Sequence, residues 1–166
     1  MAGSHRVRRK RPVDLQTSLH WFPISIPGVE SLVTALGAAH QQVILYGEVY
    51  GRVQSLRYGI ENGIDFRAFD LLVDGKYLDW DEFKTLCGQH GVPTVPELYR
   101  GPFSLDTIRA LSEGPTQVGG THYREGVVVH PVTERHDERV DRVILKYVSN
   151  TFLLGGKDEP VSDVDA

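Results

Sequence analysis

Two apolar stretches decide the fold of this chain: residues 42–51, QVILYGEVYG, and residues 66–73, FRAFDLLV. Both are short and rich in β-branched and aromatic residues, a composition that favours strands over helices. Side chains alternate between the two faces of a strand. The first stretch therefore places four side chains on one face: Ile44, Tyr46, Glu48 and Tyr50.

The remaining elements follow from similar patterns. Two more runs predict strands, at residues 125–130 and 140–148, and residues 95–99 form a weaker candidate. Helical spacing of apolar residues predicts three helices: one over residues 29–39, one from an Asp79/Glu82 capping box to a stop near Gly91, and one after the cap Ser104. Helices between unevenly spaced strands predict an α+β fold of mostly antiparallel sheets with flanking helices.

Composition narrows the class of protein. The chain has 166 residues, 40% of them hydrophobic, and a net charge of −4, which suits one domain and excludes a polycation that coats nucleic acid. The single cysteine, Cys87, excludes an internal disulfide and multi-cysteine zinc sites. It shares the apolar face of a predicted helix with Phe83, which predicts a buried, unreactive thiol. No apolar run approaches the roughly 18 residues of a membrane span. We therefore expect a soluble, cytoplasmic protein without membrane contact.

The two ends of the chain carry opposite charge. The amino end has a basic run that could bind RNA phosphates, although a solvated charge run explains it equally well: Arg6, Arg8, Arg9, Lys10 and Arg11. Residues 156–166 are acidic and polar, which predicts a disordered tail. One domain is accordingly expected over residues 1–155.

Four charged side chains interrupt the predicted strands: Glu48, Asp70, Glu125 and Lys146. A single charged residue on a strand is more often exposed to solvent, since antiparallel sheets commonly have one wet face. The four together, in this order, favour a shared polar site.

Their order resembles that of the covalent nucleotidyltransferases, the superfamily of ATP-dependent DNA ligases, RNA ligases and messenger-RNA capping enzymes. The resemblance extends over residues 5–155 and rests on these motifs: YGE at 46–48, FRAFD at 66–70, EGVVV at 125–129 and the apolar strand that contains Lys146. KYLD at 76–79, GVPTVP at 91–96 and SN at 149–150 resemble the ATP-dependent RNA ligases in particular. The resemblance implies a partial nucleotidyltransferase (adenylation) domain.

The resemblance also implies a role for each motif residue. Glu48 would hold the ribose of ATP, Glu125 would serve the catalytic Mg²⁺ or Mn²⁺, and Lys146 would contact the α-phosphate. Asp70 would support the metal or the phosphates. Phe69 would stack on adenine, with Phe66 as the alternative. Because the two residues are three positions apart on a strand, their side chains face opposite sides, and only one of them can stack.

One element of the family is missing. Its nucleophile is a lysine in a Lys-x-Asp-Gly motif, and these 166 residues contain none. Lys10 has the wrong spacing, and Lys76 and Lys84 come too late in the order. We therefore expect the isolated chain not to adenylylate itself.

The resemblance leaves several functions open. The first is an RNA ligase-like adenylyltransferase for RNA repair, which joins RNA ends with a 5′-phosphate through lysyl-AMP and adenylylated RNA. The second is a non-catalytic nucleotide- or RNA-binding remnant, or one part of a split ligase completed by an amino-terminal segment or a second chain. A DNA ligase or capping-enzyme fragment is the third.

Overall fold

The computed structural model describes residues 19–54 and 56–154. The predicted basic run at residues 6–11 and the predicted acidic tail at 156–166 lie outside these ranges.

The two stretches that decide the fold form the two long strands of a three-stranded antiparallel sheet. Strand β1 spans Val43–Gly51, β2 spans Ile64–Val73 and β3 spans Lys76–Tyr77, in the order β1-β2-β3. The predicted strands 42–51 and 66–73 are thereby confirmed. Val43, Leu45 and Val49 pack against the core, so Glu48 and its alternating neighbours occupy the opposite, open face.

Strand β2 carries one extra residue. Tyr46 pairs with Asp70, but the next residue, Gly47, pairs with Ala68, which leaves Phe69 without a partner on β1. This irregularity is a β-bulge. Ala68 and Leu71 both stay in the core, and the bulge therefore turns the two consecutive residues between them away from it.

Two helices cover the core face of this sheet. Helix α1 spans Pro27–Gly37 after a short 3-10 turn at Phe22–Ser25, and α2 spans Trp80–His90. The predicted helix at 29–39 begins earlier because Pro27 occupies the first turn, where its missing N–H costs nothing. Buried side chains join helices and sheet: Val29, Leu32, Phe66, Ala68, Leu71, Val73, Trp80, Phe83, Cys87 and Val92.

Backbone features fix both ends of α2. Gly91, at φ 71°, ends the helix as predicted. The predicted capping box does not form, because the Asp79 carboxylate instead accepts a hydrogen bond from the Glu134 backbone N–H at 2.7 Å. A side chain on Gly28 would place its Cβ 2.6 Å from the His90 carbonyl oxygen. The glycine therefore permits the close approach of α1 to the end of α2.

A second region follows in the chain. Helix α3 spans Leu105–Ser112, capped by the predicted Ser104, whose hydroxyl accepts from the Thr107 N–H. Strand β4, Gly126–Val129, pairs antiparallel with β7, Leu145–Val148. Between them lies a short hairpin, β5 His136–Asp137 and β6 Asp141–Arg142, and helix α4 follows at Asn150–Leu153.

Two sequence predictions were wrong in this part of the chain. Residues 140–148 do not form one strand, because β6 pairs with β5 and β7 pairs with β4, with a break between them. Residues 95–99 form no strand: the backbone of 93–95 makes two hydrogen bonds to Ala68 at the edge of β2. This contact is a single parallel bridge between Ala68 and Thr94, which is too short to make a strand. Within the described residues, no helix is long and apolar enough to cross a membrane.

Candidate functional site

The open face of the first sheet carries an ordered set of polar side chains. Glu48 is exposed and lies directly opposite Arg67 on β2. The Arg67 guanidinium donates to the Tyr50 hydroxyl at 3.2 Å and to the Thr94 carbonyl at 2.9 Å, and Tyr50 donates to Asp65 at 2.8 Å. The positions beside Glu48 are thus fixed by hydrogen bonds, whereas Glu48 itself stays open to solvent.

The two phenylalanines of FRAFD have different surroundings. Phe66 is 3% exposed and belongs to the core, whereas Phe69 is 41% exposed on the open face. Because Phe66 is enclosed by other side chains, Phe69 is the one of the two that a ligand can reach. Its role as a base-stacking residue stays a prediction.

Tyr58 lies between the two sheets. Its ring packs edge-on against Tyr50 at 5.5 Å and against His122 at 4.7 Å, between ring centroids. Burial raises the pKa of Tyr58, and the negative charges of Glu125 and Glu48 raise it further. Tyr58 therefore lies near both Glu48 on β1 and Glu125, the residue before β4.

Glu125 and Lys146 belong to opposite sides of the ribbon's pairing, Glu125 directly before β4 and Lys146 on β7. The Glu125 carbonyl accepts from the Ser149 N–H at 2.8 Å. Lys146 pairs with Val128, which is 58% exposed, so both share an open face of this ribbon. In the described part of the chain, no hydrogen bond or ion pair joins the Lys146 side chain to another residue. Its ammonium group is therefore available to a ligand.

The Asp70 carboxylate is already hydrogen-bonded to another side chain of the protein. Both of its oxygens accept from Arg142, at 2.5 and 3.0 Å, and Arg142 also binds Glu134. The guanidinium occupies one acceptor site on each Asp70 oxygen and neutralises its charge, so this geometry gives no support to the predicted metal role. Among the described residues, no three His, Cys, Asp or Glu side chains are grouped to hold a metal ion.

Arg142 and Tyr58 were missed by the sequence analysis. Arg142 interrupts the apolar run at 140–148 in the same way as Lys146, and this signal could have singled it out. Tyr58 follows from no pattern, because its place depends on a loop.

Together, these side chains offer three kinds of contact. An exposed aromatic ring can stack on a nucleobase, a carboxylate can accept from sugar hydroxyls, and a free ammonium group can bind phosphate. These three kinds of contact together suit a nucleotide as the ligand.

The fold is that of the nucleotidyltransferase part of RNA ligases. The structure is similar to a Naegleria gruberi RNA ligase variant solved without ligand (TM-score 0.65, 23% identity), covering 84% of this chain and 40% of that one. It is also similar to a variant of that ligase with ATP and Mn (TM-score 0.67, 22% identity), covering 91% and 43%.

The RNA ligase family model matches residues 5–148. The chain therefore belongs to the RNA ligase family. It spans only about two fifths of the length of the solved relatives. No curated protein sequence gives a significant match.

Proposed function

We propose that this chain forms the nucleotide-binding part of an ATP-dependent RNA ligase that joins RNA ends carrying a 5′-phosphate. The reaction would proceed through lysyl-AMP and adenylylated RNA, with the attacking lysine supplied by a segment other than these 166 residues. The common surroundings of Glu48 and Glu125 at Tyr58, with Phe69 exposed on the face of the sheet that carries Glu48, support this proposal. RNA repair in the cytoplasm is the setting that we expect for this activity.

The first sheet would hold the nucleoside. Phe69 stacks on the adenine, and Glu48 accepts hydrogen bonds from the ribose hydroxyls. Both side chains are exposed on the open face of that sheet. The solved Naegleria gruberi RNA ligases with ATP and Mn, and with AMP and Mn, support ATP as the nucleotide.

The second region would hold the phosphates. Lys146 contacts the α-phosphate, where its charge opposes the negative charge that builds up on the oxygens during transfer. Because Lys146 has no carboxylate partner among the described residues, that charge is not already neutralised. It is therefore a phosphate ligand in this proposal and not the nucleophile.

Glu125 would bind the divalent cation. Mg²⁺ commonly takes one or two carboxylates, with substrate phosphates and water as its other ligands. A site with Glu125 and few further protein ligands therefore fits Mg²⁺ or Mn²⁺ bound together with ATP. When bound, the cation withdraws negative charge from the phosphate oxygens.

The nucleophile would come from an amino-terminal segment or a second chain. The sequence contains no Lys-x-Asp-Gly motif, and no positioning by other groups replaces an absent amine. Exposed apolar side chains lie on both faces of the ribbon, Val128 on one and Leu145 on the other, and an additional segment could pack on either.

Labelling with radioactive ATP and Mn²⁺ tests this proposal. We expect no label on the chain alone, and label on an added RNA ligase segment that contains Lys-x-Asp-Gly when both are mixed. Lys146→Ala should abolish this labelling, whereas Lys76→Ala, at another exposed lysine, should leave it unchanged. Alkali-stable, acid-labile label on the chain alone, as expected of a lysyl phosphoramidate, would contradict the proposal, as would ATP binding without label in the mixture.

The basic run would bind RNA phosphates. Neutralising Arg8 and Arg9 together should weaken RNA binding and lower the slope of log affinity against log salt by roughly 0.7 for each lost contact with single-stranded RNA. Sequence preference should stay the same. An unchanged slope in the Arg8→Ala, Arg9→Ala variant would instead assign the run to a solvated surface.

A further inference from the structure

Arg142 is held on three sides by groups of both regions. Its guanidinium donates to both oxygens of Asp70 on β2, at 2.5 and 3.0 Å, and to both oxygens of Glu134, at 3.0 and 2.6 Å. The side chain is 15% exposed. Such forked pairs use the planar geometry of arginine, which lysine does not have.

The flat side of the guanidinium rests on an aromatic ring. The Arg142 Cζ atom lies 3.7 Å from the centroid of the Tyr77 ring, and Tyr77 in turn packs against Tyr46 at 5.7 Å. Tyr46 is the cross-strand partner of Asp70. The arginine, the carboxylate and the two tyrosines thus form one packed unit on the open face.

This unit is next to the β-bulge. Phe69 has no partner on β1, so the sheet ladder itself does not fix its position. On one side Ala68 is held by pairing with Gly47 and by two backbone hydrogen bonds to residues 93–95. On the other side Asp70 is held by Tyr46 and by Arg142. Because bulges redirect side chains, the direction of Phe69 depends on both anchors.

We infer that Arg142 is a positioning residue: by clamping Asp70 it fixes the bulge and holds Phe69 in the direction that a nucleobase requires. The function of Asp70 is then to anchor the bulge and not to bind metal. This inference rests on the proposed function for its ligand, although the clamp itself can be tested without one.

Fluorine NMR of the full chain, with 4-fluorophenylalanine at position 69, tests the clamp directly. Arg142→Lys keeps the positive charge but loses the fork and the stacking plane, so we expect the resonance of position 69 to shift and broaden. Arg139→Lys, in the same hairpin and paired at the surface with Asp137, should leave it unchanged. If Arg142→Lys does not fold, Asp70→Asn, which removes the other partner, should give the same change. An unchanged resonance in a folded clamp variant would overturn the inference.

A double-mutant cycle on ATP binding tests the consequence. Arg142→Lys should weaken binding of ATP with Mn²⁺ about five- to tenfold, but not further in a Phe69→Ala background, because Arg142 acts through Phe69. An equal loss in both backgrounds would overturn the positioning role. If the wild-type chain bound no ATP, the proposed function would fail, while the fluorine experiment would still decide on the clamp.

Discussion

The two regions of this molecule differ in how their elements are stabilised. The first sheet has helices α1 and α2 on one face and a continuous core with large, fully enclosed side chains such as Leu71 and Phe83. The second region rests on a two-stranded ribbon, β4 and β7, whose side chains are half-buried or exposed. A two-stranded ribbon is marginally stable in water without further packing. We therefore expect the second region to depend on helix α3 and on contacts to the first region.

Those contacts are few and mainly polar. Arg142 joins Asp70 to Glu134, the Trp80 N–H donates to the Val132 carbonyl at 2.9 Å, and the Trp80 ring packs on His130 at 4.8 Å. The candidate site lies where the two regions meet. Under the proposed function, the well-packed sheet would hold the nucleoside, and the less firmly held ribbon would supply the groups that bind the phosphates.

The largest difference between the regions should appear in stability. Phe83→Ala removes an enclosed core side chain and should lower the free energy of unfolding by about 3–5 kcal/mol. Val128→Ala, on the ribbon, should change it by less than about 0.5 kcal/mol, because that side chain is already exposed. Urea denaturation measures both. Equal losses would mean that the ribbon is as well packed as the first sheet.

Removing the link between the regions should have the next largest effect. Arg142→Ala leaves two nearly buried carboxylates, Asp70 and Glu134, without a partner, which costs about 3 kcal/mol or more. The exposed Arg139 serves as the control, since surface ion pairs contribute about 0–1 kcal/mol. Thermal denaturation of Arg142→Ala and Arg139→Ala compares them. A similar melting temperature for both variants would show that the clamp does not stabilise the junction.

Lysines from the two regions should differ in ligand binding but not in stability. Lys146→Ala should weaken ATP binding about tenfold or more, since hydrogen bonds to charged groups contribute about 1.5–3 kcal/mol. Lys76→Ala, at an exposed lysine of β3, should bind ATP as the wild type does. Calorimetric titration of both folded variants makes the comparison. Equal affinities would remove Lys146 from the site.

The smallest effect concerns acid stability within the first region. Hydrogen bonds from His40 and from the backbone N–H groups of Gln42 and Gln41 lower the pKa of Asp74. A carboxyl group with a lowered pKa stabilises the fold above its unfolded pKa of about 3.9, and this contribution disappears as the pH falls through the folded pKa.

Asp74→Asn should therefore reduce the loss of melting temperature between about pH 5 and pH 3. Asparagine also tolerates the left-handed backbone of this position, which has φ 48°. Asp106→Asn, at a solvent-exposed surface carboxylate, is the control. Identical acid profiles for wild type and Asp74→Asn would contradict the expectation.

Local patterns were enough to predict the two long strands of the first sheet, but not the short β3. Alternation and composition identified β1 and β2, and the glycine and serine signals placed the end of α2 and the start of α3. Alternation also separated Phe66 from Phe69, because opposite parity is a local property of a strand. Burial of Cys87 followed from its place on the apolar face of α2, and this burial raises the pKa of its thiol to about 11.

Long-range partners explain what the sequence did not predict. The bulge at Phe69 is visible only in the register of two strands. The Asp79 carboxylate accepts a hydrogen bond from the backbone N–H of Glu134, which is far away in the chain. This hydrogen bond takes the place of the predicted helix cap. The strand predicted at 140–148 is broken because Arg142 belongs to the hairpin that reaches Asp70, while Lys146 belongs to the ribbon. Each of these contacts joins residues that are far apart in the sequence, and a local pattern does not reveal such partners.

Calorimetric titration with ATP and Mn²⁺ tests most directly whether the open face of the first sheet binds a nucleotide. We expect the wild-type chain to bind ATP. Phe69→Ala should lose about 1–3 kcal/mol of binding free energy, the usual contribution of a stacked base. Phe103→Ala, at an aromatic residue that is 68% exposed elsewhere on the surface, should bind as the wild type does. No binding by the wild type, or equal affinities for wild type and Phe69→Ala, would contradict this expectation.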